Sequence, residues 1–274
     1  MSTNIIYASK KSLVYPCAKI KKGCCYSKPR YDCVLKVADY SQNEITCLHK
    51  FNHTNIVKAI DIYHNSQGML IVFPYYPEGA LMDVLRNYKL KGDEKKSIMC
   101  QIINGLFYIH RERIAHGDLK IENILLKKKG KGWHVYIADF GLSVHPEILP
   151  PFDQPPELQT GLRQTDHFAM DVWNVGIIML HLYECSIEDQ LLAKSLSEGN
   201  QTSALLKSMS RSYPSLTDIT LSSSVSREDD SLDESVLLET NPFQTLLPHL
   251  LDKNPESRWT IRLCQEWILK NVTV

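Results

Sequence analysis

At 274 residues, with 43% hydrophobic and 23% charged side chains, the chain is long enough to bury a core as one large domain or two packed lobes, which excludes a disordered or fibrous class. Lys+Arg and Asp+Glu balance at 31 each, so no global field favours nucleic acid or an anionic membrane, and partners must be recognised locally. The eight cysteines have no Cys-x-x-Cys or zinc-type spacing, Met1 to Lys11 lacks a signal-peptide core, and the apolar run Val172 to Tyr183 is interrupted by Asn174 and His181 and is too short to span a bilayer. The expectation is a cytoplasmic protein with reduced thiols and no membrane span, the nucleus being left open.

Leu13-Val14-Tyr15 with Ala18-Lys19-Ile20, then Cys24-Cys25-Tyr26 after a Lys21-Lys22-Gly23 turn, then Tyr31 to Val37, predict three antiparallel strands. Lys36 stands in an apolar run, where a lone cation is costly unless it meets an anion, although an exposed strand lysine is the simpler reading. Ser41-x-x-Glu44 predicts a capped helix reaching Phe51, which leaves Glu44 two roles: reaching back to the helix start, or pairing with Lys36. Met69 to Tyr76 reads as a buried strand, Phe73 to Gly79 as a crossing into a helix-rich part, and Leu81 to Asn87 as a helix. A further helix over Glu94 to Glu112 sets Ile98, Ile102, Leu106 and Ile109 on one stripe.

Next comes His116-Gly117-Asp118-Leu119-Lys120-Ile121-Glu122-Asn123, whose spacing suits phosphoryl transfer: Asp118 to receive a hydroxyl proton, Lys120 beside it and Asn123 for a metal. Leu125-Leu126 and His134 to Ala138 flank a lysine-rich hairpin turn, a solvated feature more than a docking patch, and Asp139-Phe140-Gly141 supplies a second carboxylate. A proline-rich run from Val144 to Pro156, an apolar helix from Phe168 to about Glu184, a Ser- and Asp-rich interval and a closing amphipathic helix from Ile261 to Leu269 complete the chain.

In order, Cys33-Val34-Leu35-Lys36, Glu44 with His53-Thr54-Asn55-Ile56-Val57, His116 to Asn123, Asp139-Phe140-Gly141, Pro155-Pro156-Glu157, Asp171-Val172-Trp173-Asn174-Val175-Gly176 and Asn254-Pro255-Glu256-Ser257-Arg258 resemble the motif series of the eukaryotic protein kinases. The resemblance implies an α+β, bilobal fold: a small β-rich N-lobe over 1–75 and a larger helical C-lobe over 76–274, with an insert at about 197–238. It implies an ATP-dependent serine/threonine protein kinase using Mg2+, with Mn2+ as the alternative ion, acting on a protein substrate or regulatory partner. Asp118 and Lys120 would be catalytic, Asn123 and Asp139 would hold the metal, and Lys36 with Glu44 would position phosphates. Pro74 and Tyr76 would read adenine through backbone groups behind a Phe73 gatekeeper, and Glu157 with Arg258 would form a structural ion pair.

Several positions depart from that pattern. Where the family has a Gly-rich loop, Ala18 to Gly23 holds one glycine, so a backbone cradle for phosphates is reduced. Gly117 replaces the arginine on which an activation-segment phosphate docks, and Ser143 is the sole hydroxyl between Gly141 and Pro155, so activation by phosphorylation there is not expected. These departures recommend a second reading, a pseudokinase acting as a nucleotide-binding or scaffold module. His-Gly-Asp also resembles small-molecule phosphotransferases, against which Lys120 and the Trp173 motif argue.

Overall fold

The computed structural model describes residues 6–8, 12–17, 32–65, 68–143, 166–183, 243 and 245–272. The expected turn at Lys21 to Gly23, the strand at Cys24 to Tyr26, the proline-rich run, Glu157 and the Ser- and Asp-rich interval lie outside these residues.

The β-branched and aromatic runs of the N-terminal part form an antiparallel sheet of five strands: β1 (Tyr7–Ala8), β2 (Ser12–Cys17), β3 (Cys33–Ala38), β4 (Asp61–Asn65) and β5 (Gly68–Pro74), in the order β1-β2-β3-β5-β4. The register differs from the expected three-strand succession. Cys17 lies opposite Cys33, so β2 pairs directly with β3, and the span 18–32, where the Gly-rich loop was sought, joins two neighbouring strands. Their sulfurs stand 2.9 Å apart. Because paired residues share a face and alternate residues return to it, Val34 and Lys36 project on the same side as Phe73 and Ile71.

That side is covered at Lys36 by α1 (Gln42–Lys50). Its start is fixed by Ser41, whose Oγ accepts the Glu44 N–H at 3.3 Å, and it buries Ile45, Cys47 and Leu48. The chain then crosses to the helical part, where β7 (Gly132–Ile137) pairs with β6 (Ile124–Lys129) as the sequence predicts. Ile137 donates to Asn55 O at 2.8 Å and accepts from the Val57 N–H at 3.0 Å, fastening the segment after α1 onto this hairpin.

The helices α2 (Leu81–Asn87), α3 (Gly92–Arg111), α4 (His167–Leu182), α5 (Leu247–Leu250) and α6 (Ile261–Asn271) form the larger part. Lys91 donates its N–H to Glu94 Oε2 at 2.9 Å, closing the start of α3 two residues before the predicted boundary. The stripe Ile98, Ile102, Leu106 and Ile109 is wholly buried. Apolar on most sides, α4 occupies the centre, and Arg258 ties the C-terminal segment to it through Ala169 O at 2.9 Å. The result is an α+β, bilobal architecture whose two parts meet where β3, α1, β6 and β7 converge.

Candidate active site

The stretch His116 to Asn123 is held from behind by a buried carboxylate. Asp171 on α4 accepts the His116 N–H at 2.7 Å and the Gly117 N–H at 3.0 Å, and stands 2.8 Å from His110 Nε2. Burial would raise this carboxyl, but the His110 hydrogen bond and charge outweigh it, aided by His116 and the Gly117 N–H, and hold its pKa below the usual range. The His116 ring faces Ala138 O at 3.0 Å and Phe140 at 5.2 Å between centroids, and Phe140 meets Phe51 edge-on at 5.0 Å.

From this anchored backbone Asp118 carries its carboxylate forward. Lys120 Nζ lies 2.8 Å from its Oδ2, and Asn123 Nδ2 donates to Asp118 O at 2.7 Å and Oδ2 at 3.0 Å. A backbone carbonyl only accepts, so the amide nitrogen must face Asp118, and the Asn123 side-chain oxygen faces away from it. The 3₁₀ turn Ile121–Asn123 sets this geometry and leads straight into β6.

The hairpin register delivers the second carboxylate. Ala138 donates to Asn123 O at 2.8 Å, so Asp139 leaves the hairpin beside Asn123. Asp139 has φ +66°, a conformation that costs a non-glycine residue about 1–3 kcal/mol and that clusters at functional sites. Across the gap, Lys36 Nζ bonds Asp139 Oδ1 at 2.9 Å and Glu44 Oε1 at 2.7 Å, which resolves the two roles open to Glu44: its N–H joins the helix cap while its side chain pairs with Lys36.

Electrostatics in this triad follow from burial and partners. For Lys36, burial lowers the pKa, but Asp139 and then Glu44 outweigh it and the net direction is up. For Asp139, burial works upward while Lys36 prevails and depresses it. Glu44, its side chain 3% exposed, is pushed up by burial despite Lys36. Lys36 is therefore held charged between two carboxylates.

Mg2+ takes oxygen ligands and keeps several waters and phosphate oxygens. Asn123 Oδ1 and the Asp139 carboxylate, 42% exposed, fit such a cation when it arrives with a nucleotide. Among the described residues no group of three or more His, Cys, Asp or Glu forms a cage of its own. At the cleft's edge, the Tyr75 N–H donates to Asp32 O at 3.1 Å, so Cys33–Pro74 is a non-hydrogen-bonded pair and the missing proline N–H leaves no gap in the ladder. The Pro74 carbonyl turns away from β3. Tyr76 is buried against Tyr136, at 4.7 Å between ring centroids.

A family profile described as the protein kinase domain matches residues 10–268. The chain belongs to the protein kinase family. It is 35% identical over 138 residues to a probable serine/threonine-protein kinase KIN1 homolog of Enterocytozoon bieneusi, covering 47% of this chain and 22% of that protein. It is 34% identical over 151 residues to serine/threonine-protein kinase 36 of Pongo abelii, covering 52% of this chain and 11% of that protein. The MAP kinase kinase kinase wis4 of Schizosaccharomyces pombe is 29% identical over 166 residues, 53% of this chain and 12% of its own length. The alignments thus span less than a quarter of these relatives. Protein kinases generally use ATP and Mg2+ and act on protein substrates. No helix among the described residues is long and apolar enough to cross a membrane.

Among the residues singled out from sequence, Lys36, Glu44 and Asp139 form one cluster, and Asp118, Lys120 and Asn123 a second joined to it by β6–β7 pairing, while Pro74 and Tyr76 lie at the edge. Arg258 reaches the Ala169 and Asp252 carbonyls, and its expected partner Glu157 lies outside the described residues. Sequence reasoning assigned no site role to Asp171, although a carboxylate inside an apolar helix is a visible signal. Nor did it find Ser143, for which no sequence signal exists beyond its being a hydroxyl.

Proposed function

We propose that the chain is an ATP- and Mg2+-dependent serine/threonine protein kinase that transfers the γ-phosphoryl group of ATP to a protein hydroxyl. The observation that carries this reading is the double pairing of Lys36 with Glu44 at 2.7 Å and Asp139 at 2.9 Å, which holds a charged lysine beside the metal-side carboxylate. Lys36 binds nucleotide phosphates while Glu44 keeps it aligned. Asp118 orients the attacking hydroxyl and takes its proton; that oxygen bonds to the γ-phosphorus, the β–γ bridging P–O bond breaks and ADP leaves with the bond's electron pair. Lys120, whose pairing with Asp118 keeps it at the reacting hydroxyl in this reading, meets charge developing on the transferred group. Asn123 and Asp139 would hold Mg2+, which would supply neutralisation of phosphate charge. Two of the relatives described above are named serine/threonine-protein kinases, in agreement with Lys120.

The pseudokinase reading is favoured by one observation: neither Ala18 to Gly23, with a single glycine, nor residues 9–11 between β1 and β2, with none, supplies a Gly-rich loop. Transfer of labelled phosphate from ATP to a peptide library, by the wild-type protein and by Asp118→Asn in Mg2+ and in Mn2+, separates the two. Transfer lost in the variant by about 10²-fold or more supports the kinase. Absence of transfer by the wild type, with metal-dependent thermal stabilisation by ATP that disappears in Asp139→Ala, supports the binding module.

A further inference from the structure

Gly117 and Ser143 meet across the two loops of the site. Gly117 has φ +80°, and a Cβ placed on it would come within 2.5 Å of Leu142 O, a contact that side chains essentially never make. The absence of a side chain thus lets the segment after Asp139-Phe140-Gly141 lie directly on the catalytic loop. There Ser143, 1% exposed, donates its Oγ–H to His116 O at 3.0 Å while its N–H donates to Phe140 O at 3.1 Å.

The peptide groups just before Asp118 are consequently fixed on both sides. The His116 and Gly117 N–H groups go to Asp171, at 2.7 and 3.0 Å, and the His116 carbonyl goes to Ser143. We propose that Ser143 is a positioning residue that clamps the catalytic loop to the metal loop, and that this hydroxyl clamp, admitted by Gly117, replaces a docked activation-segment phosphate as the device holding Asp118 in place. This rests on the kinase reading given above. It gives the one hydroxyl of the segment between Gly141 and Pro155 a structural use, and its burial withholds it from phosphorylation by another kinase.

The test is Ser143→Ala, measured by steady-state kinetics and by amide hydrogen exchange on the full chain. Loss of one buried hydrogen bond at the loop predicts a kcat lower by about tenfold with KM for ATP within about twofold, since Lys36 and the adenine edge are untouched. Exchange over residues 114–120 should accelerate about tenfold while the α3 core, 98–109, is unchanged. Gly117→Ala, which displaces Leu142 and Ser143 together, should lower kcat in the same way, and the double variant should lose no more than the worse single variant. An unchanged kcat, additive losses in the double variant, or exchange rising equally over α3 would overturn the clamp. If the wild type transfers no phosphate, the kinase reading fails on its own and exchange still decides: local acceleration supports the clamp, and none refutes it.

Discussion

The contact between Gly117 and Leu142 can be weighed against a glycine elsewhere that shares its backbone but not its surroundings. Gly117 has φ +80° and Gly130, at the β6–β7 turn, φ +60°; an added Cβ meets Leu142 O at 2.5 Å in the first and nothing within 4 Å in the second. Alanine at either position takes a left-handed conformation at about 1–2 kcal/mol. At Gly117 the carbonyl must in addition retreat by roughly 0.9 Å to reach the 3.4 Å of ordinary contact. Leu142 O is backbone, and moving it drags Ser143 from His116 O, leaving a buried carbonyl unsatisfied at about 1–3 kcal/mol. Gly117→Ala should therefore be less stable than Gly130→Ala by about 1–3 kcal/mol in urea unfolding, or about 2–5 °C in Tm for a chain of this size. Equal losses in the two variants would mean that the loops separate freely, and the reasoning about the close approach would be wrong.

Two further outcomes follow from the buried charges. Glu44→Gln should destabilise by about 1–2 kcal/mol in urea unfolding, less than the 3–5 expected for an orphaned buried lysine, because Asp139 still neutralises Lys36; a loss above about 3 kcal/mol would show that Asp139 does not compensate. His181, through burial, and His53, through burial and then the Arg111 charge, have folded pKa values below their ordinary 6.5, so near and below that pH the unfolded chain binds more protons. Stability should level off near pH 7.5 and fall as pH drops through 6.5, a decline that melts at several pH values would detect and that His181→Gln should shallow.

Local order was legible wherever a residue's neighbours in sequence are its neighbours in space. The α3 stripe, the cap of α1 and the β6–β7 hairpin each follow from periodicity or turn chemistry within a few residues. What escaped was long-range or two-sided. β4, Asp-Ile-Tyr-His-Asn, is an edge strand with almost no buried face, so it carries no alternation to read, and β1 is two residues long. The direct pairing of β2 with β3 depends on partners sixteen or more residues apart, which no local pattern encodes.

The site divides along the same line, and the division bears on regulation. Asp118, Lys120 and Asn123 lie within six residues, so the distances their chemistry needs are set by one short loop and its 3₁₀ turn. Lys36 and Asp139, 103 residues apart, meet only because α1 covers β3 while β7 pairs with β6; only resemblance could join them beforehand. Ser143 is subtler, since as the sole hydroxyl of its segment it was not expected to act through phosphorylation, while the bond it makes to His116 O is one no local pattern encodes. A buried hydroxyl that bonds a buried carbonyl cannot also face a partner kinase, and the bare Gly117 that admits it cannot carry the cation such a phosphate would seek. Under the clamp proposed above, both residues push the same way: the loop carrying Asp118 is held by contacts formed on folding, and a phosphate on that segment is not needed to hold it.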